Sequence, residues 1–119
     1  MSARSLTAFE VRLPSAQALL ADKLCALLSR IEGRDLDDTV TLLGLGCDLA
    51  QALDDAFQID RGFSPMTLAW ILRTWPMKNV VAVERWDEAK VAQIDADRLR
   101  LAERLVDAAG SEAAGRSPF

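Results

Sequence analysis

Two basic residues interrupt the apolar face of the first predicted helix. On a helical wheel with Leu19 at 0°, Lys23 falls at about 40° and Arg30 at about 20°, inside the arc of Leu and Ile positions. A surface helix usually keeps such residues on its opposite face. Two interpretations are open: the aliphatic stems cover the core while the charged ends reach water, or the cations border a cleft and bind phosphate or carboxylate.

An acidic run follows these cations along the chain. Asp35 and Asp38 come just after Gly33, where the first helix is predicted to end. One interpretation is helix capping, with Asp35 at the N-cap and the acids stabilised by the helix dipole. The other is that Asp35 or Asp38 orients Lys23 or Arg30, because a chain reversal at Gly33 would bring the two helices together.

Composition excludes several kinds of chemistry. The chain contains no His, which removes Ser-His-Asp and Cys-His catalysis and His-ligated metal sites. The Asp-x-Asp pairs at 35–37 and 95–97 fit a solvated helix face better than a metal site, so no metal ligand is predicted. Cys25 and Cys47 lie in apolar surroundings and are predicted to be buried free thiols, as in a reducing cytoplasm.

The length of 119 residues fits a single domain, and the net charge of −4 lacks the basic footprint of a free-standing nucleic-acid binder. The first residues carry no apolar leader, and no apolar run is long enough to span a membrane. We therefore expect a cytoplasmic protein.

Helices joined by short loops are predicted to position these residues, in a mainly α, bundle-like fold. Apolar residues recur at helical spacing between predicted starts and Gly or Pro stops. The predicted starts are N-caps at Ser15, at Asp48 with Gln51 in the capping-box position, and at Ser64 with Pro65 as the first helical residue. About five helices are predicted: Ser15 to Ile31, Asp35 to Gly44, Asp48 to Arg61, Ser64 to Pro76, and Asp87 to Ala109.

Three other segments complete the prediction. Alternating apolar residues at 6–13 predict one N-terminal β-strand, which needs a partner strand from elsewhere. Residues 77–86 are valine-rich and favour an extended segment or a buried turn. The small, polar tail at 110–119 is predicted to be disordered. Trp70 and Trp75 are expected in the core.

The order and spacing of these residues resemble a family signature. Residues 20–30, LADKLCALLSR, followed by 33–38, GRDLDD, are similar to the pattern A-x-K-L-x-A-L…R…R-D-x-x-D. That pattern belongs to the AbiEii-type nucleotidyltransferase toxins of bacterial toxin–antitoxin (abortive infection) systems. The resemblance covers roughly residues 10–75.

The resemblance implies a fold, a reaction and a set of site residues. The fold would be a nucleotidyltransferase core with a helical C-terminal region, in which the N-terminal strand completes the sheet. The reaction would transfer a nucleotide from Mg-NTP to an acceptor such as tRNA. Lys23 would lie near the NTP phosphates, Asp38 (with Asp35 as the alternate) would position it, and Arg30 and Arg34 would support substrate binding.

One departure from the family pattern changes the expectation. The family's earlier half should carry a Gly-rich turn and an Asp-x-Asp strand that binds Mg²⁺, and the roughly 14 residues before the first helix hold neither. Residues 1–109 therefore resemble a C-terminal half alone, which would be a truncated or split gene product or a fragment and is expected to be inactive by itself. Its expected partners are the missing N-terminal half and a cognate antitoxin, with tRNA bound only by a complete enzyme. The alternative is a non-catalytic helical protein-interaction module, which could bury its apolar surface in a homodimer.

Overall fold

Every regular element in the described part of the chain is an α-helix. The computed structural model describes residues 13–30 and 32–116. Its helices are α1 (Leu13–Ser29), α2 (Gly33–Gly44), α3 (Leu49–Ile59), α4 (Pro65–Arg73), α5 (Met77–Glu84) and α6 (Glu88–Arg116). The predicted mainly α fold is confirmed. The predicted strand lies outside the described residues, except that Leu13 begins α1.

The chain divides into two compact units, with the boundary between Phe63 and Ser64. In the first unit α1 packs against both α2 and α3. The fully buried leucines of α1 are Leu20, Leu24 and Leu27, and they belong to the apolar face of this helix that the sequence predicts. Burying each such side chain stabilises the fold by about 2 kcal/mol.

The start of α1 differs from the prediction. Ser15 was expected at the N-cap, but the helix begins at Leu13, so Ser15 lies inside the first turn. Pro14 is tolerated there because the first turn has no use for its missing N–H group. The N-cap prediction for Ser15 is therefore wrong, since the helix begins two residues before Ser15.

The turn between α1 and α2 also differs from the prediction. Gly33 was expected to end the first helix, but it is the first residue of α2 and is buried. Glu32 occupies the N-cap position with extended backbone and makes no side-chain capping bond. Asp35 lies within the first turn instead of at the N-cap, so the capping interpretation of Asp35 is wrong and its carboxylate serves another purpose.

The turn between α2 and α3 is fixed by local hydrogen bonds. Gly46 has a φ of 103°, which favours glycine, and its N–H donates to the Leu43 carbonyl while that of Cys47 donates to Leu42. This is a Schellman ending of α2. Asp48 then caps α3 as predicted, by accepting from the Ala50 N–H at 3.0 Å.

A side chain from α1 completes that cap. The sequence assigned the capping-box role to Gln51, but Gln51 donates to Asp55 on its own helix. Gln17 instead accepts from the Asp48 N–H at 2.8 Å and donates to the Asp48 carbonyl at 2.7 Å. The start of α3 is thereby tied to α1.

In the second unit α4 packs against α6. Ser64 caps α4 and Pro65 occupies its first turn, as predicted. Trp75 is buried, but Trp70 is 66% exposed, so the prediction that both lie in the core is wrong for Trp70. The face of α4 that packs on α6 carries Leu68 and Leu72 instead.

Two further boundaries were mispredicted in this unit. The valine-rich segment at 77–86 forms helix α5, because burial of Val80 outweighs the small helix penalty of β-branched residues, about 0.5 kcal/mol each. α6 continues through Gly110 to Arg116, past the predicted end at Ala109. The neighbouring Ala and Glu residues favour helix and offset the cost of the two glycines, Gly110 and Gly115. The predicted disordered tail is thus helical up to Arg116.

Candidate functional site

Lys23 of α1 is held by two carboxylates from α2. Its Nζ lies 2.9 Å from Oδ2 of Asp38 and 3.2 Å from Oδ1 of Asp35. The side chain is 24% exposed, so the ammonium is partly withdrawn from water without being sealed off. Lys23 therefore does more than extend into solvent, and the sequence-based alternative in which an acid orients it across the turn describes this contact.

Arg30 joins the same group of charges through Asp35. Its Nε donates to Oδ2 of Asp35 at 3.1 Å, while Oδ1 of the same carboxylate accepts from Lys23. Glu32 lies 3.4 Å from that Nε. The Asp35 side chain is almost fully buried. It bridges Lys23, in the middle of α1, and Arg30, which directly follows the last residue of α1. We call Lys23, Arg30, Asp35 and Asp38 the interhelix cluster.

The cluster keeps both of its cations charged. Burial alone would lower the pKa of Lys23, but hydrogen bonds and charge attraction from Asp38 and Asp35 outweigh it and raise that pKa above its usual value. The hydrogen bond to Asp35 likewise raises the pKa of the Arg30 guanidinium. A lysine with a raised pKa is a poor general base, and it suits electrostatic binding of an anion.

Two supporting groups were missed from the sequence. The hydroxyl of Thr39, which is fully buried, donates to the Asp35 backbone carbonyl at 2.7 Å. A Thr four residues after an Asp in a helix was the available signal, because such hydroxyls bond back one turn. Glu32 was also missed. Arg34, predicted to support substrate binding, is exposed and precedes Asp35 on α2.

The described residues offer no cluster of three or more His, Cys, Asp or Glu that could hold a metal ion. Asp35 is buried and paired, so it does not lie on a solvated helix face as predicted. Asp97 is also buried and accepts from Arg100 at 3.0 Å, whereas Asp95 accepts from Arg98 at 2.7 Å. Asp35, Asp95 and Asp97 therefore bind cationic side chains of the protein.

The cysteines are free, as predicted. Cys47 is buried, and Cys25 is partly buried with its thiol 3.6 Å from the Ala56 carbonyl. Burial raises the pKa of both thiols, and the charges of Asp60 and Asp22 add to this for Cys25. Both groups are therefore protonated and weakly nucleophilic near neutral pH.

Comparison with known proteins identifies the family. The family described as "Nucleotidyl transferase AbiEii toxin, Type IV TA system" matches residues 2–113. The chain belongs to the AbiEii nucleotidyltransferase toxin family, which confirms the resemblance drawn from residues 20–38. Searches of curated proteins and of solved structures returned no match.

Family membership has three consequences. It suggests a nucleotidyltransferase toxin, with the Mg²⁺ and NTP that such enzymes typically use, and it implies a cognate antitoxin as partner.

Among the described residues, none of the helices combines the length and apolar character that crossing a membrane requires.

Proposed function

We propose that this chain provides the phosphate-binding part of a nucleotidyltransferase site, and that Lys23 contacts the NTP phosphates. The observation that carries the proposal is the position of Lys23, whose Nζ lies within 3.2 Å of two carboxylates from the next helix in a chain of this family. Asp38 and Asp35 position Lys23, and Arg30 and Arg34 add positive charge.

Free Cys25 and Cys47 support a cytoplasmic location.

The reaction assigns these residues an electrostatic task. An acceptor hydroxyl oxygen, such as that of a tRNA 3′ end, bonds to the α-phosphorus and releases its proton to solvent. The bond from that phosphorus to the bridging oxygen breaks, and pyrophosphate leaves with the electron pair. Negative charge accumulates on the phosphates, so a fixed cation such as Lys23 stabilises the transition state.

Magnesium does not fit the interhelix cluster. Each oxygen of Asp35 already accepts from a cation, and Asp38 is paired with Lys23. Mg²⁺ prefers carboxylate oxygens with no competing ammonium between them. We assign any magnesium ligands to residues outside the described ones, in this chain or in a partner that supplies the family's metal-binding half.

The test is a nucleotide-transfer assay with labelled NTPs, Mg²⁺ and total tRNA. The chain is assayed alone and together with the segment encoded directly upstream of Met1. We expect Lys23→Ala to abolish transfer wherever the unmodified protein is active, while Lys78→Ala, which removes an exposed lysine from α5, leaves it unchanged. Undiminished transfer by Lys23→Ala, or no transfer in either arrangement, would contradict the proposal.

A helical interaction module is the second candidate function. It is favoured by Met66 and Trp70, which are 52% and 66% exposed and lie one turn apart on α4. Exposed apolar side chains at this spacing are typical of contact surfaces. Light scattering over a dilution series, with Trp70→Ser beside the unmodified chain, would show a dimer that dissociates on dilution and is weakened by the substitution.

A further inference from the structure

The two carboxylates that hold Lys23 differ in how firmly they are fixed. The Asp35 side chain is 4% exposed, and it contacts Arg30 as well as Lys23. Its backbone carbonyl also accepts from Thr39. The Asp38 side chain is 37% exposed, and within the described part of the chain its ion pair is with Lys23. Asp35 is therefore built into the packing between the helices, whereas Asp38 lies at the rim.

This difference decides which carboxylate can leave. Moving Asp35 would leave a buried charge without its partners and release two cations, and breaking a buried ion pair in this way is strongly destabilising. Moving Asp38 into water costs little, because ion pairs between partly exposed groups contribute little to stability. Asp38 is the more exposed of the two carboxylates, so it is the one that an anion from solvent can reach.

We propose that Asp38 is an exchangeable counter-ion, which a multiply charged phosphate group displaces from Lys23 while Asp35 keeps Lys23 and Arg30 in place. The inference rests on the proposed function, because it takes Lys23 as the phosphate contact. A lysine ammonium has three N–H donors, and here two of them point to carboxylates. Asp38 thus competes with phosphate for one donor and repels it as a like charge.

The exchange gives the site a preference among anions. A singly charged anion gains no more from Lys23 than Asp38 already does, and Asp38 is tethered beside it. A di- or triphosphate carries several charges and can contact Arg30 together with Lys23, so it can replace Asp38. Asp38 would therefore select polyphosphates over monovalent anions such as chloride and acetate.

The experiment titrates inorganic pyrophosphate, the leaving group of the proposed reaction, into the full 119-residue chain. Calorimetry or phosphorus NMR gives its dissociation constant for the unmodified chain and for Asp38→Asn. We expect Asp38→Asn to bind pyrophosphate about fivefold more tightly at low salt, the effect of removing one like charge roughly 5 Å away in water. The gain should shrink as salt is added.

Two controls separate this gain from a general change in charge or fold. Asp54→Asn removes a carboxylate from the exposed side of α3 and should change the dissociation constant by less than about twofold. Lys23→Ala combined with Asp38→Asn should lose the gain, since the freed donor is gone. Circular dichroism melting curves establish that each variant is folded.

The outcomes distinguish this inference from the proposed function. Equal or weaker binding of pyrophosphate by folded Asp38→Asn overturns the exchange alone, and the Lys23 assignment stands if the unmodified chain still binds. A gain that persists without Lys23 also overturns it. If no variant binds pyrophosphate at millimolar concentration, both the exchange and the phosphate role of Lys23 are wrong, whatever the transfer assay gives.

Discussion

Each of the two compact units contains a partly buried cation that links two helices, but the partners differ. In the first unit, Lys23 of α1 bonds to carboxylates of α2. In the second, Arg98 of α6 donates from Nη1 to the carbonyls of Leu72 and Arg73, at the end of α4. Arg98 also pairs with Asp95, one turn earlier on its own helix.

The nature of these partners separates a structural contact from a candidate site. The carbonyls at the end of α4 lack partners within their own helix, so Arg98 meets a need of the backbone. The carboxylates around Lys23 are side chains, and among the described residues Lys23 bonds to Asp35 and Asp38 and to no backbone group. A cation bound to backbone carbonyls is fixed by the fold, whereas one bound to a rim carboxylate such as Asp38 can exchange it for another anion.

The largest effect expected from this comparison comes from Asp35. Asp35→Ala removes two hydrogen bonds between charged groups, to Lys23 and Arg30, and should lower the free energy of unfolding by about 3 kcal/mol. Asp38→Ala removes the rim partner and should lower it by less than about 1 kcal/mol. Urea denaturation followed by far-UV circular dichroism measures both. Equal losses would show that the two carboxylates are not fixed differently.

The second effect tests the structural role of Arg98. Arg98→Met keeps much of the aliphatic stem but removes the bonds to the end of α4, and should cost about 2 kcal/mol, as for hydrogen bonds made by charged groups. All three Trp residues lie in the second unit, so Trp fluorescence reports its unfolding. Arg104→Met, at an exposed position of α6, is the matched control. If Arg98→Met lowers the free energy of unfolding no more than Arg104→Met does, the bonds from Arg98 do not stabilise the end of α4.

Much of the helical framework could be predicted because its signals are local. Ser64 before Pro65, Asp48 before α3 and Gly46 after α2 each act through groups within a few residues. The prediction that Trp70 lies in the core failed because an apolar residue in an apolar helix does not reveal which face of that helix another helix covers. That depends on α6, which lies far along the chain.

The candidate site shows the same limit. The helical wheel placed Lys23 and Arg30 together, and the acidic run supplied Asp35 and Asp38 as partners. The sequence could not show that Asp35 is the buried carboxylate and Asp38 the more exposed one, and capping was the simpler interpretation of Asp35. Its burial depends on how α2 packs against α1, which places the Asp35 carboxylate beside Lys23 and Arg30.

The smallest expected effect concerns pH and Lys23. Its pKa is raised in the folded protein by Asp38 and Asp35 despite the opposing effect of burial, so its charged form stabilises the fold. That stabilisation is fully present below the ordinary lysine value of 10.5 and is lost as the pH rises through the higher folded value. The pH-dependent part should be at most about 1 kcal/mol, since the pair is partly exposed.

The measurement compares urea midpoints of the unmodified chain and Lys23→Met between pH 7 and 11. The difference between them should stay constant to about pH 10 and shrink above it. Cys25 and Cys47 also have raised pKa values, so their ionisation destabilises both proteins in alkali and cancels in the difference. A difference that already falls below pH 9 would mean that burial outweighs the two carboxylates. Lys23 would then resemble a general base more than a fixed cation, and the contrast with Arg98 would need a different explanation.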